Sequence, residues 1–149
     1  MAADELNIFS TVEIPNSPTP TSRPRLGFGV YQSPKDLTLK SCMDALRVGY
    51  RAIDTAQYYE NEGLVGEAVR NSGIPREEIF ITTKILSPCG SVQATLEKCR
   101  ESVKEIGVGY IDLFLVHTPT SGPEGRKEMW QALEMLLEEG GTRAIGVSN

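Results

Sequence analysis

The chain has 149 residues, 40% hydrophobic and 23% charged, with a formal net charge of -5. That length supports one sizeable core rather than two ordinary domains. The acidic balance supplies no basic stripe for tracking a nucleic-acid backbone, and no run of about 18 consecutive apolar residues could form a membrane-spanning helix, so small molecules or proteins are the expected partners. Cys42, Cys89 and Cys99 are an odd set without C-x-x-C spacing, and Met1 to Leu6 lack a basic start and an apolar signal core. A reducing, cytoplasmic setting is therefore expected.

In chain order, Thr11 to Ile14 reads as a short strand, and Asn16 to Pro24, rich in Pro, Ser and Thr, as a loop or hairpin tip. Residues 1–25 are thus an N-terminal hairpin with a Pro-rich loop. From Leu26 onward short apolar or β-branched runs recur at Leu26–Val30, Arg51–Asp54, Ile79–Lys84, Ile111–His117 and Arg143–Val147, starting every 25 to 32 residues. Stretches of helical period lie between them: Leu39, Cys42, Met43, Leu46; Leu64, Val65, Ala68, Val69; Val92, Leu96, Cys99, Val103, Ile106; and Trp130, Leu133, Leu137. Ser33-Pro34 fits an N-cap and first helical position, Ser91 a second N-cap, and Gly73 and Gly140-Gly141 helix ends. This alternation implies parallel strands joined by right-handed helical crossovers, in an α/β barrel or a doubly wound sheet. Gly27-Phe28-Gly29 begins a dinucleotide-binding fingerprint, but Gln32 stands where the third glycine belongs, and the signal is discarded.

Polar residues recur at one place in this pattern. Asp54, Lys84 and His117 each end an otherwise apolar run, and in a barrel those ends share the catalytic mouth. Singly, Asp54 is read as a cap, Lys84 as a snorkelling side chain and His117 as a hydrogen-bonded strand end. Three at equivalent strand ends argue for one pocket holding a carboxylate, an ammonium and an imidazole. His117 is the only histidine, and the cysteines have no neighbouring ligands, so a metal site is not expected.

Asp54-Thr-Ala-Gln-Tyr-Tyr59-Glu-Asn61-Glu62, followed by Val65-Gly66, resembles the block after the second barrel strand of the aldo-keto reductase family. Ile81-Thr-Thr-Lys84, Gly109-Tyr-Ile-Asp112-Leu-Phe-Leu-Val-His117 and Gly146-Val-Ser148-Asn149 agree with it in order and spacing. The resemblance covers Leu26 to Asn149. It implies a TIM (β/α)8-type barrel truncated after about five strands, with residues 26–149 as the partial barrel. It implies that Asp54, Tyr59, Lys84 and His117 are catalytic, reducing an aldehyde or ketone with NADP(H). Tyr59 is selected over Tyr58 because it lies five residues after the aspartate and two before the Asn-Glu pair; Tyr58 is read as packing. Gly29, Val30, Tyr31 and Asp54 would line the nicotinamide side, with Ser148 and Asn149 holding its carboxamide. Tyr31, His117 and Thr118 would contact substrate. Tyr31 and Thr118 stand where the family commonly has tryptophan, so a relative's substrate does not transfer. Cys89 is read as inert loop packing.

The chemistry suits that implication. Hydride addition to a carbonyl carbon leaves an alkoxide needing a proton, a phenol is a weak acid, and an adjacent ammonium favours its ionised form. A buried ammonium in turn needs a counter-charge, which Asp54 supplies. The family's last three strands, and its basic loops for the pyrophosphate and 2′-phosphate, have no counterpart here; a truncated chain, self-associating through open barrel edges, is expected. A non-catalytic regulatory or interaction protein on the same fold, and a biosynthetic isomerase or cyclase without net redox change, are the competing readings.

Overall fold

A computed structural model describes residues 6–15 and 17–149, so the expectations for the first five residues and Asn16 lie outside the described residues. After an antiparallel hairpin, β1 (Thr11–Glu13) and β2 (Ser22–Pro24), strand and helix alternate: β3 (Phe28–Gly29), α1 (Lys35–Arg47), β4 (Ala52–Asp54), α2 (Glu62–Asn71), β5 (Phe80–Ile85), α3 (Val92–Ile106), β6 (Leu113–Val116), α4 (Gly122–Glu138) and β7 (Ile145–Val147). The last five strands are parallel and pair in chain order, β3-β4-β5-β6-β7. Right-handed crossovers between strands in unbroken order put every helix on one side of the sheet, whereas a doubly wound sheet reverses its order and carries helices on both. The strand order therefore selects the barrel winding that spacing alone left open.

Register then sorts the side chains. Ile53 pairs beside Ile81, Thr83 beside Phe114, and Ile85 beside Val116. The apolar members of this set are buried and share one core with Leu46 of α1, Val65 of α2, Leu96 of α3 and Leu133 of α4. The opposite face carries Gly29, Asp54, Thr82 and Leu113 in one row and Lys84, Leu115 and Gly146 in the next. Core and chemistry thus occupy opposite faces of one sheet, as the two-residue period requires.

The hairpin lies at the other end of the strands. A cavity of ≈ 520 Å³ is lined by Thr11 and Ser22 of the hairpin and by Arg51, Phe80, Asp112 and Arg143, which begin or precede β4 to β7. There Asp112 accepts the Ile81 N–H at 2.9 Å and pairs with Arg76 at 2.6 Å, tying β5 to β6.

Two local expectations shift. α1 begins after Pro34 without a side-chain cap, and the Ser33 hydroxyl instead accepts from Thr38 Oγ1 at 3.0 Å. The buried stripe of α4 is Met129, Ala132, Leu133 and Leu136, leaving Trp130 36% exposed. Overlapping apolar stripes permit either register, and the indole N–H turns Trp130 outward to Glu134 Oε1 at 2.8 Å. Ser91 caps α3 as expected, accepting the Ala94 N–H at 3.2 Å.

Two glycines of α2 make a paired test. A Cβ on Gly66 would lie 1.8 Å from the main-chain oxygen of Ile106, because α2 and α3 meet backbone to backbone there; one on Gly63 would meet nothing nearer than 3.5 Å. Gly66→Ala should destabilise by about 3 kcal/mol, the upper part of the range for overpacking, and lower Tm by roughly 10 °C. Gly63→Ala, with room and better helix propensity, should raise stability by about 0.5–1 kcal/mol. Thermal melts showing the same sign for both would contradict this packing.

Candidate active site

β4 ends at Asp54, β5 carries Lys84 one residue from its end, His117 follows β6 directly, and Ser148 and Asn149 follow β7. Parallel strands deliver all of them to one end of the sheet. Tyr59 comes from the loop after β4, at the end of a single 3-10 turn, Gln57–Tyr59, followed by Glu60 in the left-handed region (φ 53°).

Lys84 is 6% exposed, and its Nζ has three partners: Asp54 Oδ1 at 2.5 Å, the Thr55 main-chain oxygen at 2.9 Å and Tyr59 Oη at 3.3 Å. An ammonium can only donate. The Tyr59 oxygen therefore accepts from Lys84, and the tyrosine's own hydrogen is directed elsewhere. The His117 ring meets Tyr59 edge-on, with centroids 5.7 Å apart. Its Nδ1 is buried without a hydrogen-bond partner among the described residues. Burial first, and the Lys84 ammonium second, hold His117 below the ordinary imidazole range, against an opposing pull from Asp54.

The mouth is aromatic. Tyr31, 55% exposed, lies 4.9 Å from Tyr59 and is stacked at 6.5 Å with Tyr58, which is 57% exposed and 6.4 Å from His117. Tyr58 is thus not packing, as expected from sequence, but part of the rim; Lys84 nonetheless bonds only Tyr59 of the two. Val30 is fully buried and its carbonyl accepts from Asn61, so its side chain lies in the core and only its backbone borders the site. Thr118 sits beside His117 with its hydroxyl paired to Thr120 at 2.8 Å. Cys89 is exposed, while burial pushes the Cys42 and Cys99 thiols up to about 11 and about 12, which makes them poor nucleophiles.

The groups present suit an amide-bearing ring. Asn149 Nδ2 donates to the His117 carbonyl at 2.9 Å, and no hydrogen bond within the described residues engages its Oδ1. Together with the Ser148 hydroxyl this offers a carboxamide both an acceptor and a donor. A Cβ on Gly29 would meet nothing within 4 Å, leaving its backbone open to close approach.

Five residues to which the sequence reading gave no role complete the surroundings. Thr55 and Asn61 bond each other behind Lys84, and Glu62 accepts from the Thr83 and Ser102 hydroxyls at 2.5 and 3.1 Å. The Asn-Glu pair was visible as a motif, but its partners were not.

A one-sided α/β sheet with Asp, Tyr, Lys and His gathered at the strand C-termini defines a barrel-type site built around an ammonium–phenol pair. Residues 25–149 match the Aldo/keto reductase family, and the chain belongs to it. It is 44% identical over 130 residues to an aldo-keto reductase of Mycolicibacterium smegmatis, covering 86% of this chain and 46% of that protein. It is 41% identical over 126 residues to the morphine 6-dehydrogenase of Pseudomonas putida, covering 85% and 43%. An aldo/keto reductase structure from Brucella melitensis superposes with a TM-score of 0.86 at 40% identity, covering 95% of this chain and 53% of that one. The chain spans about half the length of the relatives it matches, and its five parallel strands have the fold of the corresponding part of a TIM-type barrel.

Because His117 is the sole histidine, its imidazole gives one unambiguous NMR signal. Its folded pKa is depressed, so the native chain resists protonation that the unfolded chain accepts. The stability it carries is present above the ordinary value of about 6.5 and lost as pH falls from there through the folded value. A titration of the 149-residue chain should give a midpoint below that ordinary value, and Lys84→Met should raise it by removing a cation. A wild-type midpoint above the ordinary value would contradict the site's electrostatics.

Proposed function

We propose that this site reduces the carbonyl of an aldehyde or ketone to an alcohol with NADP(H), Tyr59 acting as proton donor. The observation that carries the reading is the Lys84 ammonium held between Asp54 Oδ1 at 2.5 Å and Tyr59 Oη at 3.3 Å. Reduced nicotinamide, when bound, supplies hydride to the carbonyl carbon. Ser148 and Asn149 hold its carboxamide, and Gly29, the Val30 backbone, Tyr31 and Asp54 border its ring. His117, neutral at pH 7, donates a hydrogen bond to the substrate oxygen and fixes its approach, with Tyr31 and Thr118 lining the substrate side. As charge develops on that oxygen, Tyr59 gives up its proton, and the resulting phenolate is stabilised by the Lys84 hydrogen already directed at it. Asp54, in contact with the Lys84 ammonium at 2.5 Å, balances its charge. Relatives named as reductases and a dehydrogenase fit redox chemistry of this kind. Three free cysteines among the described residues fit a reducing, cytoplasmic setting.

Removing the acid separates the two neighbouring tyrosines. In the full-length product of the gene encoding these residues, Tyr59→Phe should lower kcat for carbonyl reduction by roughly 10²–10⁴-fold, the range of general acid catalysis, whereas Tyr58→Phe leaves it nearly unchanged. Equal losses at both positions would reassign the acid.

Cofactor affinity should be divided between this chain and what relatives add to it. The residues here address the nicotinamide end, while charge-assisted bonds to phosphate are among the stronger contacts a site can make. Losing about 4 kcal/mol weakens binding roughly a thousandfold. Calorimetric titration of the monomeric 149-residue chain with NADPH, beside an eight-strand relative, should show that gap. Micromolar or tighter binding by a verified monomer would refute it, and tight binding by an oligomer alone would mean that a second chain, paired through the sheet edges β3 or β7, supplies the missing contacts.

A further inference from the structure

Two of the three acceptors on Lys84, the Thr55 carbonyl and the Tyr59 phenol, belong to one short loop, residues 55–61. That loop is clasped at its ends. Thr55 Oγ1 donates to Asn61 Oδ1 at 2.7 Å, and Asn61 Nδ2 donates to the Val30 main-chain oxygen at 3.0 Å. Thr55 is fully buried and Asn61 is 2% exposed, so water does not compete for either bond. One amide thereby joins the end of β3, the end of β4 and the start of α2. Between the clasped ends Glu60 holds a left-handed conformation (φ 53°), which a non-glycine residue adopts only where its surroundings impose it.

We propose that Thr55 and Asn61 are positioning residues. Touching neither the carbonyl nor the nicotinamide, they hold the 55–61 loop closed so that its carbonyl and its phenol meet the Lys84 ammonium together. An unclasped loop would have to find that arrangement by sampling. The amide is needed because it accepts on one side and donates on the other; an aspartate in its place would still accept from Thr55 but would set a second acceptor against the Val30 oxygen. Asn61 also begins α2, its main-chain oxygen accepting from Leu64 and Val65 at 3.1 Å each. That duty survives any change of side chain, so side-chain substitutions isolate the clasp.

The activity half of the test rests on the carbonyl-reductase reading; the spectroscopic half rests on geometry alone. In the full-length product, Thr55→Val and Asn61→Asp should lower kcat about 10²-fold, the loss expected when a reacting group is displaced by roughly an ångström, with KM for the carbonyl within about twofold. Thr55→Ser, which keeps the hydroxyl, should restore kcat to within about threefold. In the 149-residue chain, the His117 Hε1 resonance reports the edge-on Tyr59 ring 5.7 Å away. Thr55→Val should move it toward its position in Tyr59→Leu, and Thr55→Ser should leave it in place. Unchanged kcat, equal loss in the serine and valine variants, or a stationary His117 signal in Thr55→Val would overturn the proposal. Failure of both Thr55→Val and Asn61→Asp to fold would also overturn it, making the clasp a support of the fold rather than of the loop's aim. If the wild-type protein reduces no carbonyl, the functional reading falls while the His117 signal still decides the clasp.

Discussion

A lysine ammonium that is 6% exposed depends on the protein to accept its three hydrogens, because burial leaves water little access to it. Most of the site's arrangement follows from that demand. One acceptor is a carboxylate, which also balances the charge. Another is a main-chain oxygen, which ties the ammonium to the backbone just past β4. The third is the phenol of Tyr59, and its place there has a chemical consequence: a phenol oxygen occupied by a donor must direct its own proton to something else. The same ammonium acts on His117, whose protonation it opposes together with burial. One buried charge thus sets the direction of a proton and reinforces the burial that opposes protonation of its neighbour.

Such a charge is tolerable only on a rigid frame, and the sheet divides its duties so that the frame need not carry chemistry. The helix-facing side holds a continuous apolar core from Leu46 to Leu136. The N-terminal ends of the strands are pinned by Asp112 with Arg76 and lie over the hairpin. Just behind the mouth, Glu62 joins α2 to β5 and α3 through Thr83 and Ser102; burial pushes its carboxyl up, and the two hydroxyl bonds oppose that shift without cancelling it. The Gly66 contact, where α2 and α3 meet backbone to backbone, keeps these elements close enough for such short polar side chains to reach.

The readable part of this arrangement was its periodicity. Apolar runs ending in Asp54, Lys84 and His117 announced both the strands and the mouth, because a strand's alternation and its polar end are written in consecutive residues. What failed was whatever depends on a partner distant in sequence. Trp130 fell on the wrong stripe of α4, since two apolar stripes overlap there and only packing against the sheet chooses one. Tyr58 was taken for a packing residue because nothing local distinguishes it from Tyr59, whereas a rim position depends on Tyr31, 27 residues away in sequence. Val30 looked like a pocket wall by its place after β3, yet its side chain turns into the core. Asn61 was visible only as part of a motif, because its two bonds reach back to Thr55 and across to Val30.

The contacts that aim the ammonium lie between Val30 and Lys84: Val30 with Asn61, Asn61 with Thr55, Thr55 with Lys84, and Lys84 with Asp54 and Tyr59. They form a closed circuit through three consecutive strands and one loop. Segments that relatives of twice the length add elsewhere can change what enters the mouth and how tightly it is held. They are not members of this circuit, so the alignment of ammonium and phenol is a property of the first three strands of the sheet and the loop that joins the second of them to α2.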